Sequence, residues 1–450
     1  MPEVRRRRLS LSIMLLALCL LMPAGLCRAN AASSTSAPRN IILMIADGWG
    51  YRQVEASGMY RFGMAGTQSY EQFPVSLAMS TYAAGGHYDP EAMWADADWC
   101  KRDQTDSAAA ITAMATGVKT DNRMLGMGPD GTRLELLSEA AAASGLSSGV
   151  VSTVPFCHAT PAGFGCHQED RGSYQAIAHE MLTDSPLNLI MGCGHPWYDN
   201  NARRRSEPDY RYIAEQDWQR LQAGRLGNDI NGDGTADPWT LMSDPAAFDK
   251  LAREGGSGRI FGLPRVWGTL QERRRGKSER PWGDPLNPGL PDLATLSLGA
   301  LNVLASDPEG CFLMIEGGAV DWAGHDRGEA RLIEEMQDFN YAVDCVSAWI
   351  EQHGGWDENL LVVTGDHECG YLCGPGSDRL HDPLVNNGAG ELPGMEFTSG
   401  SHTNQLIPLF AKGRGAELLL PLADETDPVR GSYLDNAELG RLLLRILQSR

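Results

Sequence analysis

After Met22 the 450-residue sequence has no apolar run long enough to cross a bilayer, no internal repeat and no long low-complexity tract. A membrane-embedded bundle and a repeat solenoid are thereby excluded. Positive charge is also in short supply: 38 Lys and Arg stand against 58 Asp and Glu, a formal net charge of −20. That balance argues against nucleic acid as a partner, because phosphate backbones are held largely by Lys and Arg.

The single longer apolar run, Leu9 to Met22, follows Arg5 to Arg8 and precedes the small-residue site Ala29-Asn30-Ala31. This is the pattern of an export signal that is cut off. Residues 1–31 are therefore expected to be a signal peptide, and 32–450 a periplasmic or secreted chain with no stable membrane span. Losing five Arg and one Glu moves the net charge from −20 to −24. Eight of ten cysteines remain, an even number where disulfides are permitted. Cys157 with Cys166 and Cys369 with Cys373 are close enough to pair, the alternative being buried free thiols beside a metal site.

Four runs rich in Ile, Val and Leu each end abruptly in a residue able to bind metal: NIILMIADG (40–48), GVVSTVPFCHAT (149–160), CFLMIEGG (311–318) and NLLVVTGDHE (359–368). Short continuous apolar runs suit strands of a parallel sheet covered on both faces. Helical patterns lie between them, as in 134–145 and 329–352. The alternation predicts a doubly wound α/β fold, whose ligands bind beyond the carboxyl ends of the strands. Residues 195–291, rich in Trp, Pro, Arg and Asp, read as an irregular insertion over the site edge, with a solvated basic loop at 272–280. Inside it, DINGDGTAD places Asp229, Asn231, Asp233 and Asp237 at the spacing of a calcium loop, although Thr240 stands where an EF-hand has Glu. An Asp/Gly turn explains the same residues.

Ser107 opens the run SAAAITAMATG after Asp106. As a helix cap it is ordinary; as a nucleophile it needs a base or a metal, and neither His nor Cys lies nearby in the chain. The metal-ligating candidates are Asp47, Glu316, Asp321, His325, Asp366, His367 and His402. Taken singly, each has a structural explanation. Jointly, carboxylates and imidazoles at several strand ends suit zinc, with an oxygen-only corner for magnesium.

Six blocks in order, ADG (46–48), DSAAAITAMATGVKT (106–120), HATPAGFGCHQEDR (158–171), EGGAVDWAGH (316–325), TGDHE (364–368) and SHT (401–403), make the chain resemble the alkaline phosphatases across nearly all its mature length. The resemblance implies hydrolysis of small phosphomonoesters through a phosphoserine on Ser107. It implies one zinc held by Asp321, His325 and His402, another by Asp47, Asp366 and His367, and a magnesium-like position at Asp47, Thr160 and Glu316. Arg171 would grip the phosphoryl group. Two positions depart from the best-known bacterial pattern: His158 replaces Asp and Trp322 replaces Lys, which bears on the third metal and on phosphate affinity. Competing readings are a phosphodiesterase or sulfatase of the same superfamily and a catalytically silent metal or phosphate binder. A homodimer is left open.

Overall fold

The four apolar runs form the centre of one sheet. The computed structural model describes residues 37–450 apart from 97 and 377–381, so the expected export signal lies outside the described residues. Eleven strands belong to the main sheet: Asn40–Ala46 (β1), Val75–Ser80 (β2), Ser147–Pro155 (β3), Leu189–Cys193 (β4), Thr240–Met242 (β5), Ile260–Gly262 (β6), Cys311–Gly317 (β7), Asn359–Gly365 (β8), Ile407–Gly413 (β9), Glu425–Asp427 (β10) and Gly431–Asp435 (β11). Their order is β10-β11-β2-β9-β8-β1-β7-β3-β4-β6-β5. From β8 to β5 every neighbour runs parallel, whereas β9 lies antiparallel to β8 and β2.

Every residue of β1, β3, β7 and β8 is buried. Along β1, Ile41, Leu43 and Ile45 enter one core while Ile42, Met44 and Ala46 enter the other, so both faces are covered. Full burial of each such Ile or Leu contributes about 1.5–3 kcal/mol. The long helix Glu329–Gln352 covers one face, burying Leu332, Met336, Phe339, Val343, Val346 and Ile350 at helical spacing. Helices Ser107–Thr116 and Asn436–Gln448 pack together over the other.

Register sets the site. Ala46 pairs with Gly365 on one side and Gly317 on the other, so β1, β7 and β8 end level with one another. At the opposite end the Asn40 amide donates to Asn359 Oδ1 at 2.8 Å, a buried side-chain bond between β1 and β8.

Residues 195–291 are more regular than their composition suggests. They supply β5, β6 and the helices Glu215–Gln222 and Pro245–Glu254. The basic run at 272–280 is not wholly solvated either: Arg274 is buried and pairs with Glu334 at 2.7 Å, a partner far away in sequence. Of the two readings of the cysteines, the structure has the buried free thiols. Neither Cys157 with Cys166 nor Cys369 with Cys373 forms a disulfide. Cys157 donates to the Tyr212 carbonyl at 3.4 Å and Cys369 to the Asp321 carbonyl at 3.5 Å, so each of these thiols has its own buried acceptor.

Gly48, directly after β1, turns the chain with φ +74°, and its N–H donates to Asp366 Oδ1 at 3.1 Å. A Cβ there would lie 2.6 Å from the Asp321 Cα and 2.9 Å from the Cys369 Cβ. Gly48→Ala is expected to cost about 2 kcal/mol or more through strain and overlap. An unchanged urea midpoint for that variant would refute the close approach.

Candidate active site

Ser107 is the first residue of its helix, and the cap is its neighbour. Asp106 Oδ1 accepts from the Ala109 N–H at 2.9 Å. The Ser107 hydroxyl, relieved of capping, lies 3.2 Å from His367 Nε2. The other oxygen of Asp106, Oδ2, receives Arg171 Nη1 at 3.2 Å. One carboxylate therefore starts the helix and places the guanidinium beside the serine. The helix also directs its positive end toward this point.

The strand ends gather the remaining groups. Asp47 follows β1, Asp366 and His367 follow β8, and Glu316 is the penultimate residue of β7. Asp321 and His325 share the short helix Ala319–His325. His367 Nε2 lies 3.2 Å from Asp366 Oδ2 and 3.6 Å from Asp47 Oδ1. Asp321 contacts His325 Nε2 with one oxygen and His402 Nε2 with the other, both at 3.3 Å. His325 Nδ1 faces the Gly400 carbonyl at 2.8 Å and His402 Nδ1 the Thr105 carbonyl at 2.9 Å. A carbonyl only accepts, so each Nδ1 carries the proton and each Nε2 lone pair is free for a metal in the neutral ring. The two Nε2 atoms converge to 3.0 Å.

Thr160 Oγ1 donates to Asp47 Oδ2 at 3.4 Å, and Ser152 donates to Glu316 Oε2. His158 and Trp322 pack edge to face at 5.5 Å and line, with Ser107, Arg171, Asp321, His325 and His402, a cleft of about 300 Å³. Arg273 completes that lining.

Four carboxylates in this space are at most 4% exposed: Asp47, Glu316, Asp321 and Asp366. Burial, then repulsion from Asp366 and Asp321, pushes Asp47 well above the usual carboxylate range. Burial raises Glu316 to about 8 and, with the Asp321 charge, Asp366 to about 6. Burial alone would raise Asp321 too, but hydrogen bonds from His325 and His402 hold it low. Burial keeps His367 neutral, and with Arg171 lowers His158 to about 3. Among the described residues no donor hydrogen-bonds Asp47 Oδ1, Glu316 Oε1 or Asp366 Oδ2, although all three are buried. Buried anionic oxygens without donors are costly unless a cation answers them. Asp321, His325 and His402, and likewise Asp47, Asp321 and His367, bring one donor atom each within 4.8 Å of one another. The donor set thus fits zinc, with an oxygen corner around Asp47, Thr160 and Glu316.

A family model described as alkaline phosphatase matches residues 38–405. The chain belongs to the alkaline phosphatase family. Alkaline phosphatase 3 of Bacillus subtilis is 26% identical over 343 residues, 74% of this chain and 61% of that protein. Alkaline phosphatase of Escherichia coli is 25% identical over 426 residues, 86% of this chain and 84% of that one. The structure of the alkaline phosphatase from the Antarctic bacterium TAB5 matches with a TM-score of 0.62 at 25% identity, covering 92% of this chain and 98% of that chain. The chain thus spans about three fifths of the length of the Bacillus relative.

Some residues around this site escape sequence reasoning. Glu368 is buried and accepts from Gln53 Nε2 at 2.9 Å and Thr403 Oγ1 at 2.5 Å, tying the segment after His367 to the one carrying His402. Ser152 and Arg273 are the others, shown by partners distant in sequence, as is the bond of Asp106 to Arg171. The calcium candidate lies elsewhere. Asp229 accepts from the Gly232 and Gly234 N–H groups, Asn231 from Asp233, Asp233 from Thr235, and Asp237 from Ile230. These are the bonds of an Asp/Gly turn.

Because Asp106 is the cap, Ser107→Ala should leave the urea midpoint nearly unchanged, whereas Asp106→Ala should cost about 1 kcal/mol. Equal destabilisation by both would return Ser107 to a capping role. In the metal-free chain Glu316, Asp366 and His325, the last raised to about 9 by its bond to Asp321, all have folded values above their unfolded ones. Their protonated forms favour the fold, whereas His158 and His367, both lowered, favour it when neutral and oppose that loss below about 6.5, so the net fall in stability should appear as pH rises from about 6.5 through 9. Thermal melts across that window, repeated with saturating zinc, should show the fall removed; a fall unaffected by zinc would contradict the donor assignment.

Proposed function

We propose that this chain hydrolyses phosphate monoesters through a phosphoserine on Ser107. The observation that carries the reading is a single cleft holding Ser107, Arg171 and the Asp321, His325, His402 donor set. Arg171, oriented by Asp106, presents a planar fork to two nonbridging phosphoryl oxygens. A monoester has three nonbridging oxygens, so two can meet Arg171 and a third is left for the metal side while Ser107 approaches in line with the ester oxygen; a diester has only two, and its second substituent takes the third place. Ser107 Oγ forms the new P–O bond as the bond to the alcohol oxygen breaks. Water then attacks the phosphoserine and frees phosphate, restoring the hydroxyl.

Asp321, His325 and His402 would hold one zinc ion, and Asp47, Asp366 and His367 a second. Asp47, Thr160 and Glu316 would hold a magnesium-like third. When bound, the zinc pair supplies Lewis-acid stabilisation of the charge that develops on the attacking and leaving oxygens. Asp366 is kept in place by accepting from the Gly48 and His367 N–H groups at 3.1 and 2.9 Å. His158 and Trp322 wall the cleft where the best-known bacterial pattern has Asp and Lys, which weakens the case for tight magnesium and tight phosphate. Ser107, intact beside Arg171 and the donor set, argues against a catalytically silent metal or phosphate binder. The apolar run at 9–22 supports export to the periplasm or medium.

Purified mature chain should hydrolyse 4-nitrophenyl phosphate far faster than bis(4-nitrophenyl) phosphate, lose that activity on chelation and recover it with Zn²⁺. Ser107→Ala should lose most turnover, on the order of a thousandfold or more. A diester rate equal to the monoester rate would favour the phosphodiesterase reading, and no turnover of either the silent binder.

A further inference from the structure

Arg273 comes from the basic run at 272–280, yet it lines the same cleft as Ser107 and Arg171. Four contacts hold it there. Its backbone N–H donates to Thr269 Oγ1 at 2.7 Å, Nη1 donates to Asp326 Oδ2 at 2.7 Å, Nε pairs with Glu272 at 3.1 Å, and the guanidinium lies 5.1 Å from the Trp322 ring centre. Among the described residues no acceptor engages Nη2. Part of the fork is therefore open, on a cation already fixed in position, so binding through it costs little side-chain ordering.

An in-line reaction puts the departing oxygen opposite Ser107, and Arg273 is tied to Asp326, the residue after His325. A second cavity of about 600 Å³ shares Arg273 with the cleft and is lined also by Lys277 and Arg327, alongside Glu279 and Glu329. On a chain of net charge −20, which repels anions generally, a guanidinium at the cleft is a local exception.

We infer that Arg273 recognises a second anionic group on the leaving-group side of the substrate. Preferred substrates are phosphomonoesters that carry a carboxylate or a further phosphate beyond the scissile ester. This rests on the monoesterase reading above. On this inference Arg273 would meet the leaving group and not the phosphorus, and its effect would belong to discrimination between esters.

The test uses zinc-loaded full mature chain and a matched pair, 4-carboxyphenyl phosphate and phenyl phosphate, at fixed ionic strength. The ratio of their kcat/KM values should exceed one in the unmodified protein and fall about tenfold in Arg273→Gln, as for loss of a charge-assisted fork. Arg273→Lys, which keeps charge without the planar fork, should retain part of the ratio, and added salt should lower it in the unmodified protein. A ratio that Arg273→Gln leaves unchanged, or one below unity at the outset, overturns the inference. Failure to hydrolyse either ester would instead strike the monoesterase reading.

Discussion

Four carboxylates are driven into one buried space by the level ends of neighbouring parallel strands, and their mutual repulsion is the constraint on which the rest depends. In water such charges are well solvated; here Asp47, Glu316, Asp321 and Asp366 face one another with few donors. Without cations they protonate or, as Asp321 does, accept hydrogen bonds from His325 and His402. The sheet creates this conflict by covering both its faces with helices, which denies the strand ends any route to solvent except the cleft. Affinity for metal is in this sense the other side of an incompletely solvated fold.

The arrangement around Ser107 follows a different logic. Asp106 caps the helix, receives Arg171, and also accepts the Arg123 N–H at 3.1 Å. With these demands met by its neighbour, the serine hydroxyl is free for chemistry. A helix beginning one residue later would place Ser107 at the cap and draw its oxygen toward backbone N–H groups. Reactivity here depends on which of two adjacent polar residues the backbone uses first.

Much of this was legible in the sequence, for a physical reason. A fully buried parallel strand is a short apolar run, and a site at its carboxyl end is a polar residue directly after it, so β1, β7 and β8 announce both themselves and Asp47, Glu316 and Asp366. The helix 329–352 shows its burial by spacing. Elsewhere the signal is absent. Strands β5 and β6 are three residues each, too short for any period to register. Arg274 becomes a buried partner only because Glu334 arrives from another element, and Arg273 reaches the cleft by the same long-range folding. The even count of cysteines suggested pairing, but evenness does not bring two Sγ atoms together. Whether Asp106 or Ser107 caps the helix is a matter of one backbone turn, which composition does not record.

The bond between Asn40 and Asn359 lies at the end of the sheet away from the cleft, yet it acts as a gauge for the donor set. Sliding β8 along β1 by two residues would keep every side chain on its proper face and most apolar contacts intact, so burial alone discriminates weakly against that error. It would carry Asp366 and His367 about 6–7 Å past Asp47, too far for one ion to bind all three. Asn40 Nδ2 and Asn359 Oδ1 would then lose each other, while Asn359 Nδ2 keeps the His353 and Gly355 carbonyls and Asn40 Oδ1 the Cys311 N–H. A pair of side chains remote from the chemistry thus rejects the misaligned sheet during folding, before any ion is present to do so.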